Sequence, residues 1–246
     1  MSLLLTIMLA VSPAIANDSK AVPTQGSPVL ADEPVGNFEE EAESVFERLR
    51  RLMFTSHEKK QVRKIDEALA KHDPASAQKA LDTLLREYPE LKKDEPQAVE
   101  FHQANIDFWR GDFNSAYTKF DAAIKELEKI YPNGIVPAGP YQENNSSFLA
   151  ELYLSRGVTA LNQHKYAQAI LDIDKAIAVS PKPWAYMQIN KCRAHLRLKQ
   201  YKESAEAYSL AYKLNPAWSA NAENKEEFCA TLEKNGFHPQ PCQSKQ

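Results

Sequence analysis

Two stretches of this chain, residues 152–181 and 185–216, repeat one order of residue types at one spacing, and that repetition constrains the fold more than any other feature. In the earlier stretch Tyr166 is followed by Ala169, Ile173, Ala176 and Pro181, at steps of three, four, three and five. In the later stretch Tyr201, Ser204, Tyr208, Ala211 and Pro216 repeat those steps, about 35 residues on. Ahead of each run lies another apolar-periodic stretch with a small residue at the matching place, Gly157 in one and Cys192 in the other. Steps of three and four are the period of a helix, so each unit reads as two helices joined by a turn. The small residues are where two antiparallel helices cross closely, because a bulky side chain there would hold them apart. The aromatic after the turn fills the space between the helix tips. The closing Pro ends the second helix, since it has no amide proton and restricts the residue before it. One such hairpin cannot bury its apolar face alone, so units must stack.

Two more divergent units lie upstream. In one, Ala104 matches Gly157, the turn is Gly111-Asp112-Phe113, and Ala116, Phe120 and Ala123 follow in register; its second helix runs on to Tyr131-Pro132. The other shows mostly its second half, with Ala77, Leu81, Leu84 and Pro89 after Ile65, Ala68 and Leu69. The four units are 58–91, 97–132, 150–183 and 185–218, with an insertion at 133–147. These residues resemble the tetratricopeptide repeat family. The resemblance implies an all-α, right-handed superhelical solenoid of antiparallel helix pairs whose first helices line a concave, ligand-holding groove. Carried over by register, that groove takes Phe101, Asn105, Phe108 and Trp109 from the second unit. The third unit adds Glu151, Leu154, Val158 and Asn162, and the fourth Tyr186, Ile189, Arg193 and Arg197. The expected partner-binding set is Phe101, Asn105, Trp109, Asn162, Tyr186, Arg193 and Arg197. An extended acidic peptide suits it, because Arg pairs bidentately with carboxylates and aromatics supply apolar area. The competing role for the aromatics is interhelix core, and for the two cations a solvated helix face. The family's clamp for chaperone tails is not supported, because Val62 and Phe101 stand where its Lys would be.

Composition agrees with helices, with only 7 Gly in 246 residues and 26% charged residues. The net charge of −3 gives no general attraction to phosphate backbones or anionic lipid, which excludes nucleic acid as the expected partner. Residues 1–16 read as a signal peptide. Residues 3–11 form an apolar run too short to span a bilayer, Pro13 breaks it, and Ala14-Ile15-Ala16 offers a small-x-small cleavage site. No Lys or Arg precedes Lys20, which departs from the usual positive start. Residues 17–36, rich in Pro, Ser and acidic side chains, read as a flexible leader. Residues 37–56 read as an amphipathic helix capped by Asn37, with Phe38, Val45, Phe46, Leu49, Leu52 and Met53 on one face. That face packs on the repeats or mediates self-association. Residues 219–246 read as a capping helix and tail, with Phe228 and Leu232 inward and Gly236 ending the helix.

Export implies an oxidising compartment. There Cys229 and Cys242 are expected to join around a Gly- and Pro-containing segment, leaving Cys192 as a buried thiol. The six His form no metal-binding pair, no Gly-rich phosphate loop occurs, and no nucleophile elbow is present, so no cofactor and no metal is expected. Asn144 and Asn145 each begin an N-x-Ser acceptor pattern, relevant only in a eukaryotic secretory pathway. Two function classes stay open. One is a non-enzymatic protein- or peptide-binding adaptor of the cell envelope or secreted space, with no membrane insertion of the mature chain. The other is a regulatory subunit or small cofactor-free enzyme using the 133–147 loop. The expected export has a direct check: N-terminal sequencing of the periplasmic or secreted protein should begin at Asn17, whereas an intact Met1 in the cytosolic fraction would refute it.

Overall fold

The computed structural model describes residues 56–136, 142–220 and 225–242, and these are helical, with no strand among them. The signal peptide, leader and amphipathic segment expected up to residue 55 lie outside the described residues. Eight helices form four hairpins: α1 (Ser56–Ala70) with α2 (Pro74–Glu87), α4 (Pro96–Trp109) with α5 (Phe113–Ile130), α6 (Gln142–Asn162) with α7 (Tyr166–Val179), and α8 (Ala185–Arg197) with α9 (Tyr201–Leu214). The short α3 (Leu91–Asp94) joins the first two hairpins, and α10 (Pro216–Ala220) and α11 (Lys225–Lys234) follow the last. Partners within a hairpin share the most contact; α2 with α4, α5 with α6 and α7 with α8 then join each hairpin to the next.

One turn is used in all four hairpins. His72, Gly111, His164 and Lys199 have φ of 57°, 82°, 59° and 60°, the left-handed conformation that lets a helix stop and the chain double back. Each is followed by an amide that reaches back to a carbonyl in the last turn of the preceding helix. Asp73 N donates to Ala68 O, Asp112 N to Asp107 O, Lys165 N to Ala160 O and Gln200 N to His195 O, all at 2.9 Å. The second helix then starts at once. Asp73 and Asp112 cap α2 and α5 by accepting from Ser76 N and Ser115 N, each at 3.0 Å, and Pro74 occupies the first position of α2. Each second helix ends in a C-cap that directly precedes a proline: Tyr88, Tyr131, Ser180 and Asn215 are the C-caps, and Pro89, Pro132, Pro181 and Pro216 follow.

The crossings sit at the small residues that the spacing singles out. A Cβ on Gly157 would lie 3.0 Å from Ile173 Cγ1 and 3.2 Å from the Ala169 carbonyl oxygen, so α6 and α7 meet there with no room for a side chain. In the last hairpin the equivalent contact is Cys192 with Ser204, whose Oγ lies 3.2 Å from Sγ and donates to the Cys192 carbonyl. Tyr208, buried beside them, contacts the Phe228 ring edge-on at 5.6 Å. Burial pushes the Cys192 thiol up to about 12, an inert group at neutral pH. Cys229 and Cys242 form a disulfide with Cα atoms 5.2 Å apart, and Cys192 is the free, buried thiol. Closing that short loop stabilises by about 3 kcal/mol on the chain-entropy account.

Two boundaries differ from the sequence expectation. The insertion is shorter than 133–147, because α6 begins at Gln142. The polar run is held in the helix by its own bonds: Ser147 Oγ donates to the Glu143 carbonyl, and Asn145 Nδ2 reaches the Tyr131 hydroxyl at 2.7 Å. Pro216 also begins a further one-turn helix instead of only ending α9. Among the described residues no helix is long and apolar enough to cross a membrane.

Two substitutions should move stability in opposite directions. Lys199→Gly relieves a left-handed non-glycine residue and should stabilise by about 0.5–1 kcal/mol, whereas Gly157→Val should cost about 1–3 kcal/mol by forcing α6 from α7. Urea titrations followed by circular dichroism measure both.

Candidate partner-binding face

The residues expected to hold a partner lie on α4, α6 and α8, the first helices of the second, third and fourth hairpins. Phe101 and Tyr186, on α4 and α8, are buried and belong to one apolar cluster that runs through both hairpin junctions. Phe101 packs edge-on against Phe148 with ring centroids 5.5 Å apart, and it also touches Phe120. Asn105 is buried one turn on and donates Nδ2 to the Phe101 carbonyl at 2.9 Å. Asn162, half-buried at the end of α6, makes the same bond to the Val158 carbonyl. Asn190 on α8 repeats it to the Tyr186 carbonyl.

Trp109 ends α4 half-buried, in a different apolar cluster from Phe101. Its ring meets His72 edge-on at 4.3 Å and Phe108 at 5.9 Å. The indole Nε1 is buried and has no hydrogen-bond acceptor among the described residues. Arg193 and Arg197, one turn apart on α8, both meet α11. The Arg193 guanidinium lies over the Phe228 ring at 5.9 Å and approaches Asn190 Oδ1 at 3.4 Å. Arg197 is exposed, with Nη2 3.5 Å from Glu227 Oε1. The seven residues therefore divide into four places: Phe101, Asn105 and Tyr186 in the packed interior, Trp109 at the first junction, the Arg pair at the C-terminal cap, and Asn162 by itself at the α6 tip.

Two charged clusters also involve these helices. Arg156 on α6 donates to Asp172 on α7, with Nε 3.0 Å from Oδ2 and Nη2 2.6 Å from Oδ1, and also to Asp121 on α5. It thereby ties the second hairpin to the third. Its guanidinium sits over the Tyr117 and Tyr153 rings at 5.8 and 5.7 Å. Burial works against the Asp121 carboxylate. The hydrogen bond from Lys125 and the charge of Arg156 outweigh it, so the group sits below the usual carboxylate range. Within the second hairpin, Asp107 accepts from Lys119, Ser115 and Gln103. Burial again opposes ionisation and those bonds overcome it, holding the carboxyl below its ordinary value. The sequence did contain a signal for the Arg156 cluster: a cation within the apolar run Leu152–Leu161 has to find a buried partner.

Among the described residues no group of three His, Cys, Asp or Glu side chains is placed to hold a metal ion. Compared with protein-family models, curated proteins and solved structures, the chain matches none of them.

Arg156→Ala should cost about 3–5 kcal/mol, because it leaves Asp172 buried at 1% exposure without its cation. The pH dependence follows from the depressed carboxyls. Their stabilisation is present above the unfolded-state value near 4 and is lost as pH falls through the lower folded values. Asp107→Asn with Asp121→Asn should therefore flatten the loss of stability below about pH 4, read by acid titration of thermal midpoints.

Proposed function

We propose that this chain is a tetratricopeptide-repeat-like binding protein that works outside the cytoplasm and holds another protein or an extended peptide, with no catalytic step of its own. The observation that carries this reading is the fourfold recurrence of one hairpin, with a left-handed residue at 72, 111, 164 and 199 and a proline after each second helix. Stacked hairpins of this kind present their first helices along one side, a continuous surface suited to an extended chain. The superhelical solenoid and its groove are part of the proposal. Support for an oxidising compartment comes from the Cys229–Cys242 disulfide, and the Ala14-Ile15-Ala16 site agrees with it.

Within the groove the roles differ. Arg193 and Arg197 are the anchors for an acidic partner, since Arg197 is exposed and Arg193 half-buried. Trp109 and Asn162 supply outlying contacts, and Phe101, Asn105 and Tyr186 support the face from within. Arg193→Glu with Arg197→Glu should weaken partner binding by about 2 kcal/mol or more with helicity unchanged, because attraction becomes repulsion at both positions. The measurement is crosslinking and mass spectrometry in the native cells to identify the partner, then calorimetry with wild type and variant. Unchanged affinity in the folded variant would move the site away from α8. A thermal-shift screen stabilised by small metabolites and not by peptides would replace the adaptor reading with a small-molecule one.

A further inference from the structure

The C-terminal cap carries the ligand chemistry that the α8 cations call for. α11 opens with Lys225-Glu226-Glu227-Phe228, and two adjacent residues of it take the two Arg of the site. Glu227 Oε1 lies 3.5 Å from Arg197 Nη2, and the Phe228 ring lies 5.9 Å from the Arg193 guanidinium carbon. An acid on one cation and an aromatic on the other form a matched pair one helical turn apart. α11 has ten residues, shorter than an isolated helix needs to persist in water, and it buries only Phe228 and Leu232. A further attachment is covalent, from Cys229 to Cys242 thirteen residues on, in the 3-10 turn Gln240–Cys242 that packs against α9 and α10. The link makes α11 and that turn dock as one unit, so α11 cannot leave its seat without the turn. On the chain-entropy account, closing so short a loop favours the docked state by on the order of a hundredfold.

We propose that α11 is a tethered ligand of the Arg193–Arg197 site, latched by the Cys229–Cys242 disulfide, and that reduction opens the site to a partner peptide carrying an acidic residue followed by an aromatic. This rests on the peptide-binding reading of α8. The opening step needs a dithiol reductant. One of its thiolates attacks a sulfur of the disulfide, and its second thiol resolves the mixed disulfide. Two electrons and two protons pass to Cys229 and Cys242, and the reductant leaves as its own disulfide. The order of chemistry along α11 sets the preference of the site: acid opposite Arg197, ring opposite Arg193.

Two measurements on the full mature chain test the proposal. In amide hydrogen exchange, dithiothreitol should lower protection across 225–234 by about a hundredfold while 185–214 keeps its own, since α8 and α9 do not depend on the link. In a fluorescence-anisotropy titration the probe is a labelled peptide of residues 225–234 with Cys229→Ser. It should bind the reduced chain, or the Cys229→Ser/Cys242→Ser variant, at least about tenfold more tightly than the oxidised chain. Binding should disappear with Arg193→Glu/Arg197→Glu, or when the peptide carries Glu227→Lys. Unchanged exchange of α11 on reduction overturns the latch, as does equal binding to both redox forms. If a native partner peptide needs Arg193 and Arg197 yet binds the oxidised chain fully, the latch falls and the groove reading stands. The exchange protection of 185–214 reports whether the variants remain folded.

Discussion

At Gly157 the backbones of α6 and α7 come so close that a single added carbon would sit 3.0 Å from Ile173. The rest of the molecule is organised around contacts of this kind. Two helices can cross that tightly only where both offer small residues, so the small positions decide which turns of each helix meet. The length of the first helix beyond the crossing then determines where the chain must reverse. The reversal uses one left-handed residue, and the hydrogen bonds of that turn close the orphan carbonyls of the first helix while the second begins. Glycine takes that place only once in the four hairpins, at Gly111. His72, His164 and Lys199 accept the cost of about 1 kcal/mol that a side chain meets there. Their persistence shows that the closing geometry of the hairpin outweighs the local preference of the residue.

Apolar crossings bind helices within hairpins; the joints between hairpins mix apolar burial with charge. Arg156 reaches both Asp172 in its own hairpin and Asp121 in the preceding one, beneath the Tyr117 and Tyr153 rings. A buried cation between two acids contributes little net stability over an apolar substitute of the same shape. It does penalise any arrangement that separates the three charges. A stack of similar hairpins has many near-equivalent ways to slide, and an ion triad across one joint singles out a register. The Phe101, Phe148 and Tyr186 cluster supplies the apolar burial at the same junctions.

The helices, their order and the hairpin turns were legible in the sequence because they depend on local rules: steps of three and four, a proline after the second helix, and a small residue at the crossing. The Cys229–Cys242 link was legible too, since a 13-residue separation containing Gly236 and Pro239 lets the chain return. What the sequence did not disclose was non-local. The start of α6 depends on Asn145 meeting the Tyr131 hydroxyl, a contact made only after α5 has packed. Asp121 and Arg156 are 35 residues apart, and nothing in their local spacing pairs them. For Arg193 and Arg197 the period places both on one helix face but is silent on what covers that face. The cover comes from α11, a separate element whose docking angle depends on Phe228, Leu232 and the disulfide together.

The polar residues of the first helices also explain why binding energy would concentrate at one end. Asn105, Asn162 and Asn190 each turn the side-chain amide back onto the carbonyl four residues earlier in their own helices. An amide used this way has spent one of its two N–H donors on backbone that is already hydrogen-bonded, so it offers a ligand only the other N–H and its oxygen. Phe101 and Tyr186 are committed to the interior. On the proposed reading, an incoming chain therefore meets a middle stretch that fits its shape and exchanges few strong bonds with it. On α8 the exposed Arg197 and the half-buried Arg193 carry full charges, and there a guanidinium can meet a carboxylate or a ring face without breaking a helix bond. Selectivity then rests on whether a partner brings both groups in the order that α11 itself presents, acid toward Arg197 and aromatic toward Arg193. A partner with the acid alone would engage the exposed, salt-screened half of the pair, where an ion pair contributes about 1 kcal/mol at most.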